Sequence, residues 1–182
     1  MATLYVRDEE GFEKASEQEV LLEAQELIEE KFRRQFQALS NPDSVRLFLK
    51  IRLGGREHEV FAALFLDSHL RLIEYVELFR GTIDESMVHP REVVKEALAH
   101  NAAAVIFAHN HPSGVARPSK ADETMTLRLT WALEVIGVEV VDHLVVGESI
   151  ASFHELGLLW SPFSRQKRGK RTRAGRNYRS GT

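Results

Sequence analysis

The sequence predicts an α/β fold, a mixed central sheet flanked by helices, and three observations carry that expectation. Apolar runs of strand length alternate along the chain with segments of helical periodicity. The runs Val60–Leu66 and Ala102–Ala108 are almost unbroken in their apolar character, the pattern of strands buried between layers. The length of 182 residues suits one domain of about 100–150 residues plus extensions.

The elements follow in order. Residues 1–15 are polar and read as loose. Ser16-Glu17-Gln18-Glu19 is a capping box, and Val20, Ala24, Leu27 and Ile28 recur behind it at helical spacing toward Phe32. Asn41-Pro42 opens a second helix, with Asn as N-cap and Pro at the first helical position, and Gly54-Gly55 closes it. The strand Val60–Leu66 then turns at Asp67-Ser68-His69 into a second strand over Leu70–Phe79. Pro90–His100 reads as a helix entered through His89, with Val93, Val94, Ala97 and Leu98 on one side. Ala102–Ala108 is a strand, and Asn110–Pro118, with two prolines and a glycine, is a loop. Ser119–Ile136 is a long helix, Val138–Val146 a strand, and Ile150–Phe153 a short one. No internal repeat is visible. The organisation expected is a helical arm over 1–40, the α/β domain over 41–160, and a disordered basic tail over 161–182.

Composition narrows the chemistry. Hydrophobic residues make up 43% and charged residues 28%, ordinary globular usage, and there is no cysteine. Disulfides, thiolate ligands and cysteine nucleophiles are therefore excluded. No secretory h-region is present and no apolar run approaches the roughly 18–20 residues of a membrane span. A soluble cytoplasmic protein without a membrane partner is the expectation. The net charge of −3 conceals an asymmetry: eight of the 24 Lys and Arg fall after Ser164 with no acid, leaving 16 bases against 27 acids in the rest. Such a tail cannot bury a core. It is either a solubilising segment or a non-specific contact for nucleic-acid phosphates.

One segment carries chemistry: His109-Asn110-His111-Pro112-Ser113-Gly114, then Ser119 and Asp122. His109 falls where a strand ends. Histidines at i and i+2 on an extended chain point the same way, so two imidazoles can converge on one ion. Ser119 caps the next helix and sets Asp122 in its first turn. Two imidazoles and a carboxylate on a tetrahedral ion leave a fourth position for water, the open form of a catalytic zinc site. Two nitrogen ligands with one carboxylate favour zinc over magnesium or calcium, with manganese, iron and nickel as other candidates. Each piece has a plainer reading: Ser-x-x-Asp as a helix cap, a lone strand-end His as a packed or surface residue. Their combination on one strand–loop–helix segment is what makes the signal specific. His58, His69, His89, His100, His143 and His154 receive no functional role, although Asp142-His143 reads as a supporting or packing pair. Trp131 and Trp160 read as core cover.

The pattern H-x-H-x7-S-x2-D resembles the metal motif of the JAB/MPN (JAMM) metalloprotease-like domains. The stretches NAAAVIFAHNHPSG and VEVVDHLVVGESIASFHELGLL, with VFAALFLDSHLRLIEYVELFRG, are similar to the RadC branch, over roughly Asn41 to Leu159. The resemblance implies a JAB/MPN-like fold with layering like that of cytidine deaminases. It also implies a zinc metallopeptidase of JAMM type, cleaving a peptide or isopeptide bond in a protein or peptide substrate. It makes His109, His111 and Asp122 the ligands of one Zn²⁺ and Ser119 a donor near the developing oxyanion. An acid from an earlier strand would be the base: Glu59, directly before the apolar strand, matches that place, with Glu57 as the fallback. The Gly-rich helix-hairpin-helix module of longer relatives has no counterpart in residues 1–40, so the short form is expected.

Other function classes remain beside this one. The domain is alternatively a metal-stabilised protein- or DNA-binding accessory module without catalysis, a reading in which Glu59 would be dispensable. His109-Asn110-His111 is not an HNH nuclease signature, whose residues are dispersed along a ββα unit. A zinc deaminase needs H-x-E and P-C-x-x-C, which a chain without cysteine cannot supply.

Overall fold

The computed structural model describes residues 5–7, 11–35, 42–81 and 88–159. In chain order the elements are β1 (Tyr5–Arg7), β2 (Phe12–Lys14), α1 (Glu17–Gln35), α2 (Pro42–Leu53), β3 (Glu59–Leu66), β4 (Leu72–Gly81), α3 (Pro90–Ala99), β5 (Ala104–Asn110), α4 (Lys120–Glu134), β6 (Glu139–Val146) and β7 (Ile150–Ser152). The expected helices and strands are all present, with ends shifted by one or two residues. The exception is the first stretch. Tyr5–Arg7 and Phe12–Lys14 pair as a small antiparallel sheet rather than lying loose. Strands of three residues are too short for a period-two pattern to stand out. The capping box forms as expected: Glu19 N–H donates to Ser16 Oγ (3.2 Å) and Ser16 N–H to Glu19 Oε2 (2.8 Å). The N-cap expected at Asn41 and the basic tail lie outside the described residues. Among the described residues, no helix is long and apolar enough to cross a membrane.

The main sheet has five strands in the order β4-β3-β5-β6-β7. It is mixed: β5 and β6 run parallel, and every other pair is antiparallel. The parallel pair is joined by α4, the crossover that such a pair requires. All of β5 is buried, as are Val60–Leu66 of β3, so the central strands are covered on both sides. Alternation sorts their side chains. Val60, Leu64 and Leu66 join Ala104, Ile106 and Ala108 under Val45, Phe48, Leu49 and Leu53 of α2. Phe61, Ala63 and Phe65 join Val105 and Phe107 under α3 and α4, through Val93, Ala97, Met125, Leu129 and Leu133. The helix-period stripes and the strand alternation therefore meet in two cores, one on each face.

His89 and Pro90 enter α3 as expected, with Pro in the first turn, where its missing N–H costs nothing. Ser119 is the N-cap of α4, which starts just beyond the carboxyl end of β5. That end of a parallel strand, facing a helix start, is where open α/β sheets characteristically hold ligands.

Candidate metal centre

The β3–β5 register sets His109 opposite Phe61. The β5–β6 register sets it beside Val145. His109 is 1% exposed and shares its sheet face with Phe107, while Asn110 turns away. Asn110 has its own task. Its Oδ1 accepts the Val60 N–H (2.8 Å) and its Nδ2 donates to the His58 carbonyl (3.0 Å), which pins the start of β3 to the end of β5. His111 follows directly, and its backbone N–H donates to the Val146 carbonyl (2.9 Å).

The loop after His111 is held by close backbone approach. Gly114 adopts φ +80°, a left-handed value open to glycine. Glu148 N–H donates to the Gly114 carbonyl at 2.7 Å. A Cβ on Gly147 would lie 2.2 Å from that same oxygen, so residue 147 has no room for a side chain.

The chain returns to the site through α4. Asp122 N–H donates to Ser119 Oγ (3.1 Å), while Ser119 N–H and Oγ–H both donate to Asp122 Oδ2 (2.7 Å each). This reciprocal cap fixes the carboxylate in the first turn of the helix. Asp122 is 4% exposed. Burial pushes its pKa up, but the closeness of His109 and the bonds from Ser119 outweigh burial and hold it well below the usual carboxylate range.

The donor atoms of three side chains converge. His109 Nε2 lies 3.0 Å from His111 Nε2 and 3.3 Å from Asp122 Oδ1, and His111 Nε2 lies 3.6 Å from Asp122 Oδ2. In a tetrahedral site with metal–ligand distances of about 2.0–2.1 Å, ligand atoms sit about 3.3–3.4 Å apart. The spacings from His109 Nε2 to His111 Nε2 and to Asp122 Oδ1 lie close to that value, while the His111 spacing is to the other carboxylate oxygen, Oδ2. The donor chemistry fits as well. The His111 Nδ1 lies 2.7 Å from the Val115 carbonyl, which can only accept, so the ring proton is there and Nε2 presents a lone pair. A lone pair beside a second imidazole nitrogen and a carboxylate is a cluster of negative potential that a cation relieves. His109, His111 and Asp122 can thus hold a metal ion.

Glu59 is the first residue of β3 and is half-buried. It lies two residues before Phe61, the partner of His109, so strand alternation gives it the same side of β3 as Phe61. Glu57 lies in the bend before the strand and is exposed. Ser119 stands beside Asp122, with its hydroxyl proton directed to that carboxylate. Asp142 and His143 do not act as a side-chain pair. Asp142 accepts from Ser152 Oγ (2.6 Å) and from the His154 N–H (2.9 Å), whereas His143 points to the opposite face, 2.8 Å from His109 Nδ1. Burial above all keeps the His143 pKa well below the usual histidine range.

Two residues of this environment were not singled out in the sequence: Asn110 and Thr126. Thr126 stands one helical turn after Asp122, and that i+4 spacing was its one available signal.

A family model described as a RadC-like JAB domain matches residues 39–158. The chain belongs to this family. Relatives of the RadC-like domain include a UPF0758 protein of Thioalkalivibrio sulfidiphilus, 61% identical over 122 residues that cover 67% of this chain and 55% of that protein. A UPF0758 protein of Vibrio cholerae is 52% identical over 147 residues, 81% of this chain and 92% of that protein. One from Leptothrix cholodnii is 60% identical over 120 residues, 65% of this chain and 54% of that protein. The chain thus spans about half the length of several of the curated relatives it matches. The RadC-like segment contains the whole His109–Asp122 constellation and both candidate acids.

Proposed function

We propose that this RadC-like domain is a zinc-dependent hydrolase acting on a peptide or isopeptide bond of a protein or peptide. The observation that carries the reading is the convergence of His109, His111 and Asp122 on one point at a strand end, with an acid on the adjoining strand. Zinc is the ion of choice for two imidazoles and one carboxylate. When bound, such an ion lowers the pKa of water from 15.7 to about 7 and polarises a carbonyl oxygen.

The chain's own residues supply the rest. Glu59 takes up the proton that the attacking water gives up and returns it to the leaving nitrogen as the C–N bond breaks. Its half-buried place on β3, two residues before the partner of His109, supports Glu59 over the exposed Glu57. Ser119 Oγ–H turns from Asp122 Oδ2 to the carbonyl oxygen as charge develops there. Burial of His109 and Asp122 keeps water from competing with these contacts.

The test is direct. The full chain, loaded with zinc to one equivalent, is assayed against a panel of peptides and isopeptide-linked conjugates beside Glu59→Gln. The wild type should cleave at least one member. Glu59→Gln should keep its zinc and lose about 10²–10⁴-fold in rate. Absence of cleavage by the loaded wild type across the panel overturns the reading.

One observation favours a second reading. The Ser119 hydroxyl proton is already engaged by Asp122, an arrangement that stabilises the ligand set rather than offering a donor to a substrate. A metal-stabilised binding module would use the same contacts. Glu59→Gln would then leave partner binding unchanged.

A further inference from the structure

His109 has two ring nitrogens, and only one of them faces the other ligands. Its Nδ1 points inward, 2.8 Å from His143 Nε2. His143 is fully buried on β6, stacked on Phe153 with ring centroids 4.7 Å apart and met edge-on by Phe61 at 5.6 Å. Its other nitrogen, Nδ1, lies 2.6 Å from Thr126 Oγ1. Thr126 Oγ1 in turn lies 2.6 Å from the Asp122 backbone carbonyl. These contacts form one continuous path from the backbone of one ligand to the ring of another.

The proton positions along that path are determined by counting donors. A carbonyl oxygen only accepts, so the single hydroxyl proton of Thr126 goes to Asp122. Thr126 Oγ1 can then only accept from His143, so His143 carries its proton on Nδ1. The 2.8 Å contact between His143 Nε2 and His109 Nδ1 holds a single proton, and with the His143 ring proton placed on Nδ1 it is His109 that donates, from its own Nδ1. The nitrogen left without that proton is His109 Nε2, the atom 3.0 Å from His111 Nε2.

We propose that Thr126 and His143 are positioning residues that fix the tautomer of His109, making its Nε2 a donor to the bound metal. The proposal rests on the metal reading given above and adds to it the residues that enforce it. His111 reaches the same tautomer by a shorter route, through the Val115 carbonyl. For His109 the usual carboxylate or carbonyl partner is replaced by a neutral imidazole, which orients the ring without adding negative charge. The relay also begins on the first turn of α4, so it ties the ring on β5 to the helix that carries Asp122.

Two measurements test this. Long-range ¹⁵N–¹H imidazole spectra of the full chain, recorded with and without zinc and assigned with His143→Gln, read the tautomer directly. His143 should be protonated at Nδ1 and unprotonated at Nε2 in both forms; a proton on its Nε2 overturns the proposal. Zinc affinity, read by competition with a chromophoric chelator, should fall about 10–100-fold in Thr126→Val and recover in Thr126→Ser, which restores the hydroxyl. A Thr126→Val affinity within twofold of wild type, or a Thr126→Ser affinity no better than that of Thr126→Val, overturns it. Should the wild type bind no zinc, the metal reading itself fails, and the His143 spectrum still decides the tautomer.

Discussion

The two faces of the central sheet are made by the same strands and have different contents. Toward α2, the buried side chains of β3 and β5 form a wholly apolar layer from Val60 to Ala108. Toward α3 and α4, the layer begins in the same way with Phe65, Val105 and Phe107, then changes at the carboxyl end of β5. There His109, Asp122, Thr126, Thr130 and His143 are all buried. Burying such groups costs several kcal/mol each unless they are hydrogen-bonded. Each of them is: Thr130 Oγ1 donates to the Thr126 carbonyl (2.8 Å), and the other four belong to the network around the ligands. One face is thus held mainly by packing, with Asn110 at its end hydrogen-bonded to the Val60 N–H and the His58 carbonyl. The other gives up apolar contact at one end for a connected polar set, the arrangement expected where a fold carries chemistry.

Three predictions bear on that contrast. The largest effect belongs to the apolar face. Leu64→Ala should lower unfolding free energy by about 2–5 kcal/mol in urea while leaving zinc content at one equivalent. Loss of zinc from a folded Leu64→Ala protein would show that the faces are not independent.

Next comes metal removal. At free zinc about 100-fold above its dissociation constant, the ion should add about 2.7 kcal/mol, measurable as a drop in Tm on chelation. Leu64→Ala should retain that increment, and His109→Ala should lose it along with the bound metal in elemental analysis.

The smallest is a pH effect in the metal-free protein. The folded pKa of His143 lies below its unfolded value of about 6.5. The unfolded chain therefore binds more protons below that pH. Stability from this group is complete above about 6.5 and declines as the pH falls, by no more than about 1.4 kcal/mol per pH unit for one proton. The stability difference between wild type and His143→Leu should narrow on acidification. A difference that widens would contradict a neutral buried ring.

Much of this was legible beforehand, for identifiable reasons. The runs Val60–Leu66 and Ala102–Ala108 announced buried strands, because continuous apolar character leaves no wet face. Ser119-x-x-Asp122 announced a helix start, because a capping box is a contact between residues three apart. The candidate metal residues were found the same way: His109 and His111 by strand alternation, Asp122 by its place in a first helical turn. Family resemblance supplied Glu59, and local sequence gave little to separate it from Glu57. Their surroundings distinguish them, since Glu59 begins β3 and is half-buried whereas Glu57 lies in the bend before it and is exposed. The β1–β2 pair was missed because three residues a side carry too little pattern.

The sequence by itself determined what is local: the helices and the main-sheet strands, the caps at Ser16 and Ser119, and the three donors on one strand–loop–helix segment. Only the tertiary structure decided which residues stand behind them. His143 and Thr126 reach His109 through the parallel pairing of β5 with β6 and the packing of α4 on that face. Register between distant strands depends on how the whole core packs, and no window of sequence contains it. Alternation on β6 also separated Asp142 from His143, neighbours in the chain that serve opposite sides of the sheet.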